Sequence, residues 1–299
     1  MTTNSILLDD DATPQSSAGR WKQTFHRFNR SWVSLAGLFI IVLLIVAAVA
    51  GPALVPYPDD VLGAVHTGLR FESPSWQHWF GTNEFGQDVF SLVLAGARVS
   101  LIAGLAVVVL GAAVGILVGG IAGFVGGWVD EVMMRVVDLI LTLPGLILAM
   151  AIAAALGAGL FNTILAIALS WWPGYARLVR GEVIAKKEEL FVQAARALGA
   201  SPAGILWRHV LPNVVSPVLI KVSLDMGFAI LSVASLSFLG IGVKPPTPEW
   251  GALLATARNN LPDFWWTALF PGLFIFFAVL GFNLLGDGLR DVLDPKSRR

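Results

Sequence analysis

Two pairs of ionisable residues lie inside otherwise apolar stretches: Arg135 with Asp138, three apart, and Lys221 with Asp225, four apart. On a helix either spacing puts both side chains on one face. Such a pair can neutralise itself and lower the cost of burial, or it can relay protons. Self-pairing is the expectation for both, because no carboxylate cluster sits mid-stretch, as a coupling ion would require. The four histidines, His26, His66, His78 and His209, are scattered and belong to neither an H-E-x-x-H motif nor a nucleophile elbow. The chain has no cysteine, so disulfides, thiolate catalysis and cysteine metal sites are excluded. There is also no GxxxxGK[ST] phosphate loop, so the chain does not hydrolyse ATP by itself.

A polar stretch does stand out, FVQAARALGASPAGILWRHVLPN over 191–213. Leu190, Phe191, Ala194, Ala195 and Leu198 fall at i, i+1, i+4, i+5 and i+8, one apolar stripe on a short helix. Gly199 suits the helix end, where positive φ is needed. Ser201 is placed to cap a second helix with Pro202 at its first position, and Pro212 is expected to close it. A DNA-binding helix-turn-helix fits the same letters superficially, but it needs a third helix, its own domain and a basic recognition face. The better reading is a short helix tied to its neighbours, ready to lie in a groove on a soluble partner.

The surroundings of this segment are lipid-like. Of 299 residues 56% are hydrophobic and only 13% charged, with mean hydropathy +0.74 and a balanced 20 basic against 20 acidic residues. A soluble domain carries about twice that charge. Six stretches approach the roughly 20 residues that span a bilayer: 31–51, Val99–Gly120, Val132–Leu156, Leu160–Leu178, Val214–Gly240 and Trp265–Leu285. Basic residues cluster before the first stretch (Arg20, Lys22, Arg27, Arg30), between the fourth and fifth (Arg180, Lys186, Lys187, Arg196, Arg208) and after the sixth (Arg290, Lys296, Arg298, Arg299). The positive-inside rule then puts both termini and the 181–213 segment in the cytoplasm. The resulting division is a cytoplasmic tail over 1–30, expected to be disordered, a first span over 31–51, an extracytoplasmic loop over 52–97, a core over 98–290 and a short tail over 291–299.

Within the second stretch Gly111, Gly115, Gly119, Gly123 and Gly127 recur every four residues, a ridge on which another backbone can approach closely. Pro144 and Pro173 interrupt the third and fourth stretches and are candidates for kinks. Trp76, Trp79, Trp265 and Trp266 read as interfacial anchors.

Several motifs together resemble a known family, the permeases of ATP-binding-cassette importers. Ala194, Ala195, Gly199, Leu211 and Pro212 stand in the register of that family's Glu-Ala-Ala, three residues, Gly, nine residues, Ile-x-Leu-Pro motif, with Gln193 in place of Glu and His209 in place of Ile. GGWVDEVMMRVVDLILTLP, PPTPEWG and FNLLGDGLRDVLDP resemble the C-type permease of dipeptide and oligopeptide importers. So does FGTNEFGQDVFSLVLAGARVSL, except that Asn83, Gln87 and Leu92 replace the subfamily's Asp, Arg and Arg.

The resemblance implies an all-α polytopic membrane protein with a type I importer fold, six spans and a cytoplasmic coupling helix between spans four and five. It implies contact with an ATPase subunit through Phe191, Gln193, Ala194, Ala195, Arg196, Leu198, Gly199, Ala200 and Ser201. It also implies a second, non-identical permease, two ATP-binding subunits that hold ATP and Mg, and an extracytoplasmic binding protein. No cofactor or metal is expected on this chain. The location implied is the bacterial cytoplasmic membrane, and the cargo implied is di- and oligopeptides, with glutathione or a nickel chelate as alternatives. An ion-coupled secondary transporter is the reading from a different class.

Overall fold

The computed structural model describes residues 32–293, with side chains to 291. The tail expected over 1–30 and the basic residues Lys296, Arg298 and Arg299 lie outside the described residues. Among the described residues 11 α-helices are connected by turns and by two 3-10 segments, with a π turn in one helical run.

Helix α1 (Trp32–Leu54) is followed by the single turn α2 (Pro58–Val61) and a loop that leads to α3 (Val89–Val125). At 37 residues α3 is about 55 Å long, so the expected 99–120 stretch is only its middle. Asp88 starts it by accepting the Ser91 N–H at 2.8 Å. Gly126, at φ +72, ends it.

Next come α4 (Gly127–Leu141) and α5 (Gly145–Leu156). The sequence reads these as one span kinked at Pro144, whereas the structure breaks it by 89°. Proline disfavours helical geometry at the residue before it and supplies no N–H, and here the chain turns over Thr142 to Pro144. Pro173, by contrast, sits inside α6 (Leu160–Lys186), which continues through it.

The remaining helices are α7 (Leu190–Ala197), α8 (Pro202–Ile205), α9 (Leu211–Phe238), α10 (Trp250–Ala257) and α11 (Trp266–Leu293). Pro212 does not close the helix it follows. Residues 202–238 run as one helical stretch through a π turn over Leu206–Val210, in which the Leu211 N–H donates to the Leu206 carbonyl. The wider turn shifts the hydrogen-bond register just before Pro212, which has no N–H to give.

Four helical runs are long and apolar enough to cross a membrane: Trp32–Leu54, Val89–Val125, Pro202–Phe238 and Trp266–Asp291. The bent α4–α5 pair would make a fifth. Helix α6, read from sequence as the fourth of six, is not among them. Its apolar stretch gives way to Trp171, Trp172, Pro173, Gly174 and then Arg177 and Arg180. Ile167, Tyr175, Ala176 and Val179 are wholly buried, so neighbouring helices, not lipid, surround much of it.

The α3–α6 contact is made by the glycine ridge. A Cβ on Gly115 would lie 2.3 Å from Tyr175 Cβ, and one on Gly119 2.3 Å from the Ala176 carbonyl oxygen. Gly123 lies against Arg180 and Val183, with Gly111 more loosely beside Tyr175. The ridge stops there. Gly127, the fifth of the series, lies beyond the Gly126 turn at φ +57 with nothing within 4 Å of its Cβ position.

The PPTPEWG stretch is a second clamp. Trp250 is fully buried and its indole N–H donates to the Val93 carbonyl at 2.9 Å. The buried Glu249 caps α10 through Gly251 and Ala252, both at 3.0 Å, and accepts from the Ser100 hydroxyl at 3.1 Å. The motif thus fastens α10 to α3.

Candidate functional site

The 186–213 segment is built as a rigid hairpin. The α7 helix ends in a Schellman turn: the Ala200 N–H donates to the Ala195 carbonyl at 3.1 Å and the Gly199 N–H to Arg196 at 3.0 Å. This puts Gly199 at φ +82, a conformation cheap only for glycine. Ser201 Oγ then accepts the Gly204 N–H at 3.2 Å and starts α8.

The predicted stripe divides when seen in three dimensions. Leu190 and Leu198 are 81% and 88% exposed, with Phe191 and Ala194 exposed beside them. Ala195 faces the other way, and Val192, not singled out from sequence, is fully buried next to it. These two join a hydrophobic cluster that includes Val179 and Val183 of α6 and Leu211, Val214 and Val218 of α9, and reaches Ile116 and Phe124 of α3. The i, i+3 spacing of Val192 and Ala195 is visible in the sequence, but the bulkier stripe masks it. Lys187 adds a polar tie, its ammonium donating to the Gly123 carbonyl at 3.0 Å.

Gln193 is exposed and its amide donates to the Glu188 carbonyl at 3.0 Å, a bond that a glutamate could not make. Arg196 lies roughly half a turn from the exposed stripe, at 100° per residue, and lines a cavity on the other flank.

The ion pairs partly depart from expectation. Lys221 and Asp225 do pair, at 3.0 Å, with the ammonium 5.0 Å from the Tyr175 ring centre. Arg135 and Asp138 do not pair with each other. Arg135 approaches Glu131 at 3.7 Å, and Asp138 takes Arg177 of α6 at 2.6 Å. Asp130 takes Arg180 of the same helix, with Nη2 at 2.6 Å. A partner on another helix competed successfully, and it fastens α4 to α6.

The loop before α3 carries a second polar network. Asp88 accepts from the buried His78 (Nδ1 at 3.0 Å), from the Ser91 hydroxyl at 2.7 Å and from its backbone. Asp60 accepts the Asp88 N–H at 2.7 Å and contacts His66 at 2.7 Å. Beside it Asn83 and Gln87 are 7% and 8% exposed and joined amide to amide at 2.9 Å. Gln87 also donates to the Ala64 carbonyl at 2.8 Å, while Asn83 Oδ1 accepts the Phe85 and Gln87 N–H groups. Two of the three residues that depart from the resembled motif, Asn83 and Gln87, are therefore a neutral hydrogen-bonded pair within the loop.

Asn83→Asp alone sets a carboxylate against the Gln87 carbonyl oxygen and is expected to lower stability by about 1–3 kcal/mol. Adding Gln87→Arg supplies donors and recovers most of the loss. Thermal melting of both singles and the double variant measures this coupling.

The family description "Binding-protein-dependent transport system inner membrane component" matches residues 115–299, and "N-terminal TM domain of oligopeptide transport permease C" matches 19–72. The chain belongs to this permease family. It is 46% identical over 276 residues to the "Glutathione transport system permease protein GsiD" of Escherichia coli O157:H7, covering 92% of this chain and 90% of the relative. The same protein of Shigella sonnei (strain Ss046) and of Shigella boydii serotype 4 (strain Sb227) matches equally. The permease is a multi-pass cytoplasmic-membrane subunit of an ATP-binding-cassette importer and is not itself an enzyme. It operates with separate ATPase and substrate-binding subunits.

Proposed function

We propose that the permease forms half of a pore for small peptides, paired with a related but non-identical permease, with six crossings and both termini cytoplasmic. Helix α6 supplies the fourth crossing and the α4–α5 pair the third. The hairpin over 186–213 then lies in the cytoplasm, where the exposed stripe of α7 seats in a groove on an ATPase subunit. The observation that carries this reading is the two-faced α7 helix: Leu190, Phe191, Ala194 and Leu198 are exposed, while Val192 and Ala195 are sunk among α6 and α9 residues. A push on the outer face reaches the long helices through that packing. Closure of the ATPase pair around ATP drives the hairpin, and the pore alternates its access.

Glutathione is the specific cargo that the 46% identical relatives favour, and it is itself a tripeptide. Uptake by the reconstituted transporter, with its binding protein, of labelled glutathione, dipeptides and longer peptides discriminates the cargoes. ATP-dependent accumulation of at least one is expected. Accumulation of none, with ATPase activity intact, would refute a peptide-class cargo.

A further inference from the structure

The C-terminal end of α3 and the α7–α8 turn flank a half-open cavity of about 600 Å3. Two cations line it, Lys187 and Arg196, together with Phe124, Ile205, Leu206 and Trp207, and no acidic residue does. One Lys187 N–H goes to the Gly123 carbonyl, which leaves two of its three donors for a ligand. The Arg196 guanidinium has no hydrogen-bond or ion-pair partner among the described residues. The cavity therefore sets two cations against an apolar wall, Lys187 within electrostatic reach of Asp130 outside the lining and Arg196 unpaired.

The route into it is apolar as well. Leu110, Val114, Leu117, Ile121 and Val125 of α3 are all exposed. Their spacing of three or four residues puts them on one helix face, away from the glycine ridge. The stripe is about 22 Å long, more than the roughly 15 Å depth of one leaflet. It ends at Val125, which itself lines the cavity. Trp207, 52% exposed, stands at the mouth, as tryptophan does where hydrocarbon meets headgroups.

The geometry points to a site for an anionic phospholipid, its phosphate held by Lys187 and Arg196 and one acyl chain lying along Leu110–Val125. A free anion would use the cations but leave the stripe uncovered, and a neutral lipid would do the reverse. Basic pockets beside membrane helices on the cytoplasmic side suit such headgroups. Because Arg196 is on α7 and Gly123 is on α3, the bound lipid would tie the hairpin to the end of the ridge helix.

The test is native mass spectrometry of the full-length permease, in the assembly from which it is purified, titrated in detergent with phosphatidylglycerol or phosphatidylcholine. At roughly fivefold per cation, about 30-fold tighter retention of phosphatidylglycerol is expected. Arg196→Gln, which removes no intramolecular bond, should lose roughly fivefold of that preference, and Val125→Asp should lose binding of both lipids at this site. Arg208→Gln, an exposed cation outside the cavity, should retain all of it. Equal retention of the two lipids, an Arg196→Gln variant as selective as the wild type, or displacement of the lipid by millimolar inorganic phosphate would each overturn the assignment.

Discussion

Leu198→Asp is expected to leave the permease inserted and folded yet cut ATP-driven uptake by at least about tenfold. The side chain is 88% exposed and touches no core, so the change costs the isolated chain little. In the assembled importer it would bury an unpaired carboxylate in an apolar groove, the kind of central contact whose loss costs about 2 kcal/mol or more. Phe191→Asp on the same face should behave alike, and co-purification of the ATPase subunit should fall in step. Ala195→Asp makes the contrast. Ala195 is nearly buried in the cluster with Val179, Val183 and Leu211, so a charge there should deplete folded permease instead of uncoupling it. Proteoliposome uptake, ATPase stimulation and recovery of monodisperse protein separate the two outcomes. If Leu198→Asp transports at the wild-type rate with its ATPase bound, the stripe is not the docking face.

The second large effect is expected at the glycine ridge. Gly119→Val places a Cβ 2.3 Å from the Ala176 carbonyl oxygen and 3.0 Å from Ala176 Cα. No flexible side chain stands there to yield, so α3 and α6 must separate along their whole contact. Ordinary overpacking costs about 1–3 kcal/mol, and a clash against backbone should cost about 3 kcal/mol or more. Gly181→Ala is the matched control. It lies in α6 with nothing within 4 Å of its Cβ position, and there helix propensity favours alanine slightly. Thermal unfolding in detergent should show a large fall for Gly119→Val and none for Gly181→Ala.

Much of this architecture is legible in the letters because lipid imposes a simple rule on long apolar runs. The runs at 31–51, Val99–Gly120, Val214–Gly240 and Trp265–Leu285 each fall within or largely overlap a long helix of the structure. The fourth, Leu160–Leu178, falls wholly within α6, whose later turns carry Trp171, Trp172, Pro173 and Arg177 and bury Tyr175, Ala176 and Val179 against neighbouring helices. The third is obscured because a proline can bend a helix or end it, and only the tertiary setting decides. Pro144 marks a break, α6 continues through Pro173, and Pro212 follows a π turn within a continuing helical run.

At the candidate site, periodicity finds the α7 helix and its cap but not which side is inward. A small valine–alanine face packs into the molecule and the larger leucine face looks out, the reverse of what size suggests. Charge pairing is similarly underdetermined. Arg135 and Asp138 share a helix, but Arg177 from a neighbouring helix reaches Asp138 first. Asn83 and Gln87 read as departures at an external motif, and only their mutual hydrogen bond makes their structural task plain.

The backbone-to-backbone seam between α3 and α6 has a mechanical corollary. Two rods seated this closely, with little more than the Tyr175 and Val183 Cβ atoms between their backbones, resist rolling past one another and are expected to travel as a single strut. The arm formed by α4 and α5 rides on that strut through the Asp138–Arg177 and Asp130–Arg180 pairs, keeps only Val137, Ala149 and Ala153 buried, and carries its own right-angle elbow.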